Sequence, residues 1–170
     1  KSGARADIFA MLEKELPDFK GYFAKSEEGW DFKEPATFPV ALGQALFVRN
    51  ALTVRAHRQI PLTKTPSGGV EDHLRRPRGM QYLEINAHEG APFHIFNLHG
   101  LLDSEGKLDT KARLAQFNLV RKYVEEAGSR VILCGDFNAR PETQGVQMFE
   151  KNMRNLLKEY GMPRTRSYWY

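Results

Sequence analysis

Cysteine is nearly absent. Cys134 is the only one in 170 residues, which excludes an intrachain disulfide and any multi-cysteine zinc site. Preceded by Val131, Ile132 and Leu133, this lone thiol reads as core packing rather than a nucleophile. A chain so poor in thiols is expected in a reducing, cytoplasmic compartment. Long apolar runs are missing as well: none approaches the roughly 18 residues of a membrane-crossing helix, and residues 1–9 lack the order of a secretory signal. The sequence therefore reads as soluble. It opens on Lys1 rather than methionine, and a true N-terminus is expected upstream. Neither sign of charge dominates, since 25 Lys and Arg face 21 Asp and Glu for a net +4. The small basic excess is uneven, with Arg75, Arg76 and Arg78 in one stretch and Arg164 and Arg166 near the end. That distribution suits phosphate-rich partners and a plain solvated surface equally well.

What is present is the composition of one globular domain over 1–170. Ile8, Phe9, Leu12 and Leu16 recur at helical spacing and predict an amphipathic helix over 4–16. A polar stretch dotted with aromatics follows as far as Pro39. The apolar runs 40–48 and 51–54, separated by Arg49-Asn50, predict two strands joined by a tight turn. Residues 55–79 are rich in Pro, Gly, Thr and basic residues and predict a long loop of the kind that often carries function. Residues 82–87 and 93–98 predict a hairpin, with Phe93, Ile95, Asn97 and His99 on one side of its second strand. Asp109 or Thr110 caps a helix to about residue 127, with Leu114, Phe117, Val120 and Val124 as its buried stripe and Gly128 as its stop. The run 131–134 fits a strand covered on both faces. Val146, Phe149, Met153, Leu156 and Tyr160 outline a third helix closed by Gly161 and Pro163, and 165–170 resembles the start of a further strand.

Chemistry concentrates at two strand ends. Gly135-Asp136-Phe137-Asn138 follows the buried run and sets two short polar side chains on one side, at the carboxyl end of a strand where α/β sheets bind ligands. A carboxylate there can orient and deprotonate water, and an amide beside it can donate to a phosphoryl oxygen. A simple turn with local hydrogen bonds is the bland alternative. Asn97-Leu98-His99-Gly100 ends another strand with a second pair on one face. A histidine so placed can donate to phosphate while Asn97 holds its orientation.

The order Asn-x-His, then Arg113-x-x-Gln116 on a helix, then Gly-Asp-Phe-Asn after an apolar strand resembles the endonuclease/exonuclease/phosphatase family. Gly43-Gln44-Ala45-Leu46-Phe47-Val48-Arg49 is similar to an earlier strand of that family. The resemblance implies an α/β fold, the four-layer α/β sandwich of the DNase I-like type. It also implies hydrolysis of phosphoesters, by a nuclease or phosphatase, with Mg²⁺ or Mn²⁺. Carried over, Asp136 resembles the carboxylate that orients or activates water, and Asn138 its partner in holding the scissile phosphate. His99 resembles the group that hydrogen-bonds a phosphate oxygen, with Asn97 beside it, and Asp136 and Asn138 are candidate ligands of a second metal site. Arg113 is expected to brace the site loops. The implied substrates are a nucleic acid, a phospholipid head group or a small phosphate ester.

The sequence also departs from the family pattern. No Gln-Glu pair or Asn-x-Asn strand precedes the first helix, and Thr165-Arg166-Ser167 approaches the family's closing Ser-Asp-His without reaching it. The chain is therefore expected to be a central portion, incomplete at both ends, and nearly inactive alone. Two rival readings remain. A zinc hydrolase would draw on His57, His73, His88, His94 and His99, but His94 and His99 fall on opposite faces of one strand and no His-Glu-x-x-His occurs. A non-catalytic phosphate or nucleic-acid-binding scaffold would use Arg75, Arg76, Arg78 and Tyr168-Trp169-Tyr170, holding strands by charge and stacking.

Overall fold

Side chains alternate across a strand, and this alternation sorts the chain into layers. The computed structural model describes residues 6–31, 34–62, 78–86, 90–102, 106–162 and 165. Helix α1 (Ile8–Glu15) is followed by β1 (Phe19–Glu28), the short pair β2 (Trp30–Asp31) and β3 (Glu34–Pro35), and β4 (Ala41–Arg49). β1 and β4 form a two-stranded antiparallel sheet. A four-stranded sheet has the order β5-β6-β7-β8, in which β5 (Val54–Pro61), β6 (Gly79–Ile85) and β7 (Phe93–His99) run antiparallel. β8 (Val131–Asp136) lies parallel to β7, and the long helix α2 (Lys111–Ala127) makes the crossover that a parallel pair requires.

Phe9 of α1 packs 5.5 Å, ring to ring, from both Phe23 of β1 and Phe47 of β4, on the outer face of the small sheet. The alternate residues Tyr22, Leu46 and Val48 face inward against Leu83, Ile85, Phe93 and Ile95 of the large sheet. The far face of the large sheet carries Met80, Tyr82, Phe96 and Leu98, which meet Phe117, Val120 and Val124 of α2 and Phe149. Each large apolar side chain buried there contributes about 1.5–3 kcal/mol, so this stripe holds α2 in place. The layers run helix, sheet, sheet, helix, the α/β sandwich expected from the sequence. Among the described residues no helix is long and apolar enough to cross a membrane.

Several expectations need correction. The first helix begins at Ile8 because the Asp7 side chain caps it, accepting from Ala10 N at 2.9 Å. Of its apolar stripe only Phe9 is anchored against aromatic rings, while Ile8 and Leu12 are exposed. The polar stretch before Pro39 contains β1, paired to β4. The runs at 40–48 and 51–54 do not form a hairpin: β4 ends the small sheet, and the chain crosses to begin the large one at Val54. Residues 55–61, expected as loop, are strand. β8 is not covered on both faces, because the described part of the small sheet packs on β6 and β7 and leaves Ile132 52% exposed. The third helix is broken into α3 (Gln144–Gln147), a 3-10 turn at Met148–Lys151 and α4 (Leu156–Glu159), with Asn155 starting a new cap. Residues 63–77, with His73, Arg75 and Arg76, lie outside the described residues, as do His88, Arg164, Arg166 and Tyr168 to Tyr170.

The hairpin of β6 and β7 and the limits of α2 match the sequence reading. Thr110 Oγ1 accepts from Arg113 N at 3.2 Å to start α2, and Gly128 ends it with φ +93°, a conformation that suits glycine. Within α2 the buried set is Arg113, Gln116, Phe117, Val120 and Val124, with Leu114 only half-buried. Two polar residues occupy interior positions for which apolar periodicity gave no warning.

Candidate active site

The parallel register of β7 and β8 sets Asn97 opposite Cys134, Leu98 opposite Gly135 and His99 opposite Asp136. Side chains directly opposite each other in a sheet share a face, so Asn97, His99 and Asp136 lie on the side toward the small sheet, at the carboxyl ends of both strands. Asp136 is exposed and His99 half-buried. The two strand exits are bound to each other by one main-chain bond and one side-chain bond. Gly100 N donates to Asp136 O at 2.7 Å, and Asn138 Nδ2 donates to Gly100 O at 3.0 Å. Asn138 N also donates to Asp136 Oδ1 at 2.9 Å, which fixes the carboxylate. Asn138 takes φ +50°, where asparagine is among the few non-glycine residues at home.

Both motif glycines are required by the other strand. A Cβ on Gly135, at φ +119°, would lie 2.1 Å from Leu98 O and 2.6 Å from Leu98 N; one on Gly100 would lie 2.2 Å from Phe137 O. No side chain fits between backbones that close. Phe137 turns away into the α2 core, edge-on to Phe117 and Phe149.

Behind these residues is a polar support. Gln81 of β6, fully buried and opposite Asn97, donates through Nε2 to Tyr22 O at 2.6 Å and to His57 Nε2 at 3.1 Å, and Asn97 Nδ2 approaches its Oε1 at 3.5 Å. Gln44 Nε2 of β4 donates to Asn97 O. Asn97 is thereby tied to both sheets. Partial burial holds the His57 imidazole below its ordinary value of 6.5. Burial likewise pushes the Cys134 thiol above 9.0, so it stays protonated and weakly nucleophilic at neutral pH.

Among the described residues three cations lie against the loops. Arg78, 6% exposed, places Nη1 3.2 Å from His99 Nδ1 and also reaches Nε2. Lys107 Nζ donates to Asn138 Oδ1 at 3.3 Å. Arg113 is fully buried and donates through Nη2 to Leu101 O at 3.3 Å and Gly106 O at 2.7 Å, while Gln116 Oε1 accepts from Leu101 N at 2.8 Å. Arg113 thus braces the loop that leaves His99, as the sequence suggested. The roles of Arg78, Lys107, Gln44 and Gln81 were missed. Gln81 alone left a trace, as a polar residue in the otherwise apolar alternation Gln81, Leu83, Ile85.

The other described histidines are elsewhere. His94 lies on the α2 side of β7, stacked on Tyr82 with a 2.9 Å contact from its Nδ1 to Tyr82 Oη, and His57 sits on β5. Among the described residues no three His, Cys, Asp or Glu side chains gather where they could hold a metal ion. Mg²⁺ needs less, taking one or two carboxylates with substrate oxygens and water. Asp136 supplies one exposed carboxylate, an oxygen donor of the kind a hard divalent ion takes, while the Asn138 amide oxygen accepts from Lys107 Nζ.

The sequence model of the Endonuclease/Exonuclease/phosphatase family matches residues 2–170. The chain belongs to that family. Its fold is similar to the endonuclease/exonuclease/phosphatase from Bacteroides vulgatus, with a TM-score of 0.60 at 20% identity over 85% of this chain and 52% of that one. It is also similar to the human Nocturnin catalytic domain with bound sulfate anion, with a TM-score of 0.53 at 21% identity over 84% of this chain and 51% of that one. The chain spans about half the length of both solved structures, and the shared architecture is the DNase I-like α/β fold. A search of curated proteins found no match.

Proposed function

We propose that the protein is a metal-dependent phosphoester hydrolase of the nuclease or phosphatase type, with its reacting centre at the paired ends of β7 and β8. The observation that carries this reading is the register that sets His99 opposite Asp136, with Asn138 folded back onto Gly100. Asp136 orients and deprotonates the attacking water, its carboxylate held by Asn138 N and its main chain by Gly100. His99 donates an imidazole N–H to a phosphoryl oxygen. Of the two amide hydrogens of Asn138, one goes to Gly100 and the other is a donor for the same phosphate. Asn97 supports the phosphate side through its ties to Gln81 and Gln44. Such preset donors act where negative charge grows in the transition state.

Family membership supports the use of a divalent ion, Mg²⁺ or Mn²⁺. Asp136 would hold it, and when bound it supplies polarisation of the phosphoryl group and neutralises charge on the leaving oxygen. Substrates of three kinds suit this chemistry: a nucleic acid, a phospholipid head group and a small phosphate ester.

The test is Mg²⁺-dependent hydrolysis of bis-p-nitrophenyl phosphate by the full-length protein and its Asp136→Asn variant. The expected result is turnover that falls by about 10²–10⁴-fold in the variant. Unchanged turnover in Asp136→Asn would overturn the assignment of Asp136. Phosphate binding with no hydrolysis under either metal would favour a non-catalytic phosphate-binding scaffold of the same fold.

A further inference from the structure

We propose that Lys107 is a positioning residue for Asn138: it fixes which way the amide faces, keeps the amide oxygen from a metal ion and adds a positive charge to the site. The inference deepens the phosphate-donor reading of Asn138 and rests on it. An asparagine amide has two ends of similar shape, one a donor and one an acceptor, and its neighbours decide how it faces. Asn138 is 7% exposed and meets a neighbour at each end. Gly100 O can only accept, and it takes Nδ2 at 3.0 Å. The Lys107 ammonium can only donate, and it meets Oδ1 at 3.3 Å. Turning the amide over would set acceptor against acceptor at one end and donor against donor at the other. Both contacts enforce one orientation, in which the second N–H of Nδ2 is what Asn138 can offer a ligand.

Lys107 is itself held from behind. Its carbonyl accepts from Arg140 N at 3.1 Å, and Asp109, two residues on, accepts from Gln144 N at 2.7 Å and Gly145 N at 3.0 Å. The stretch before α2 is therefore pinned to the chain that follows Asn138, and the half-buried Lys107 reaches back from it. Among the described residues Lys107 meets no carboxylate, so its charge is not neutralised in an ion pair. Of its three N–H groups one goes to Oδ1, and the others remain for an anion. A divalent ion at the Asn138 oxygen would have to displace this ammonium and then sit against its charge. Lys107 therefore sorts ligands by sign, favouring a phosphoryl oxygen beside Asn138 and leaving metal binding to Asp136.

Calorimetric titration of the full-length protein with inorganic phosphate, and separately with Mn²⁺, tests this in Lys107→Met and Lys107→Gln, with circular dichroism reporting whether each variant is folded. Lys107→Met should bind phosphate about tenfold more weakly, the equivalent of one lost charge-assisted contact. It should bind Mn²⁺ about threefold more tightly, since a nearby like charge is gone and the Asn138 oxygen is released. Lys107→Gln can still donate to Oδ1 but carries no charge, so it should lose as much phosphate affinity and gain less for Mn²⁺. These opposite signs separate the role from a purely structural one, which would weaken both ligands. Unchanged phosphate affinity in folded Lys107→Met, or weaker binding of both ligands, would overturn the proposal. If the wild type binds no phosphate, the phosphate reading of Asn138 fails by itself. The Mn²⁺ comparison then still decides whether Lys107 guards the oxygen, and equal Mn²⁺ affinity in wild type and Lys107→Met would overturn that.

Discussion

Replacing Gly135 by alanine tests the central geometric argument, that the site depends on two backbones in contact. A Cβ at this position would sit 2.1 Å from Leu98 O, 2.6 Å from Leu98 N and 2.9 Å from Asn97 Oδ1. Two of these atoms are main chain and cannot swing aside. The φ of +119° adds strain of about 1–3 kcal/mol for an L side chain. Relief of the collision must open the ladder around the Leu98–Gly135 pair, and losing about two main-chain hydrogen bonds costs about 1–3 kcal/mol net. The sum is about 2–6 kcal/mol, a large part of the 5–15 kcal/mol that ordinarily holds a domain together. Gly128→Ala is the control: it also has positive φ, at +93°, but nothing lies within 4 Å of an added Cβ, so it should lose only the strain, about 1–3 kcal/mol. Urea unfolding followed by circular dichroism would measure both. Equal losses in the two variants would refute the close-contact argument, since strain alone would then account for Gly135.

Two further outcomes follow from the same region. Asn138→Ala removes the bond to Gly100 O and leaves an alanine at φ +50°, for a loss of about 2–3 kcal/mol, whereas Asn138→Gly loses the bond but not the conformational fit and should be about 1 kcal/mol more stable than the alanine variant; urea midpoints in the reverse order would contradict this. His57 should titrate below 6.5 in ¹H NMR, because the folded state disfavours its charged form. The sign for stability is then fixed: the His57 contribution is present above 6.5 and is lost as pH falls through the lower folded value, so a His57→Gln variant should flatten the acid side of the pH–stability curve.

The placement of the two motifs at strand ends was more legible than the sheets that carry them, and the reason is range. Asn97 and His99 are two residues apart within β7, so the strand period alone puts that pair on one side, whereas Asn138 lies past the end of β8 at φ +50°, where the period no longer applies. β1 was invisible because Lys20, Lys25, Glu27 and Glu28 dilute its apolar pattern and its partner β4 comes only after β2 and β3. The false hairpin had the opposite cause. β4 and β5 obey every local rule for a tight turn, but Leu46 and Val48 are buried by stacking on Leu83 and Ile85, and alternation cannot distinguish a strand stacked on another sheet from one paired within it. Arg78 was hidden for a similar reason, since its contact with His99 depends on a register the sequence does not state, and Gln81 showed only as a polar residue in an apolar alternation.

Register also changes what the two motifs are. Read along the chain, Gly100 and Gly135 are punctuation, a stop after one strand and a turn after another. In the fold each excludes a side chain for the sake of the other strand's backbone, Gly135 against Leu98 and Gly100 against Phe137. Gly100 then closes the pair by donating to Asp136 O and accepting from Asn138 Nδ2. Asn97-Leu98-His99-Gly100 and Gly135-Asp136-Phe137-Asn138 are therefore one eight-residue unit, stitched across 35 positions of sequence by the crossover helix. The buried Arg113 and Gln116 of that helix hold the loop at Leu101 that delivers Gly100 to its partner. Substituting a glycine should disturb the geometry of His99 and Asp136 as surely as changing either side chain, because both residues are positioned by the contact between the two strands.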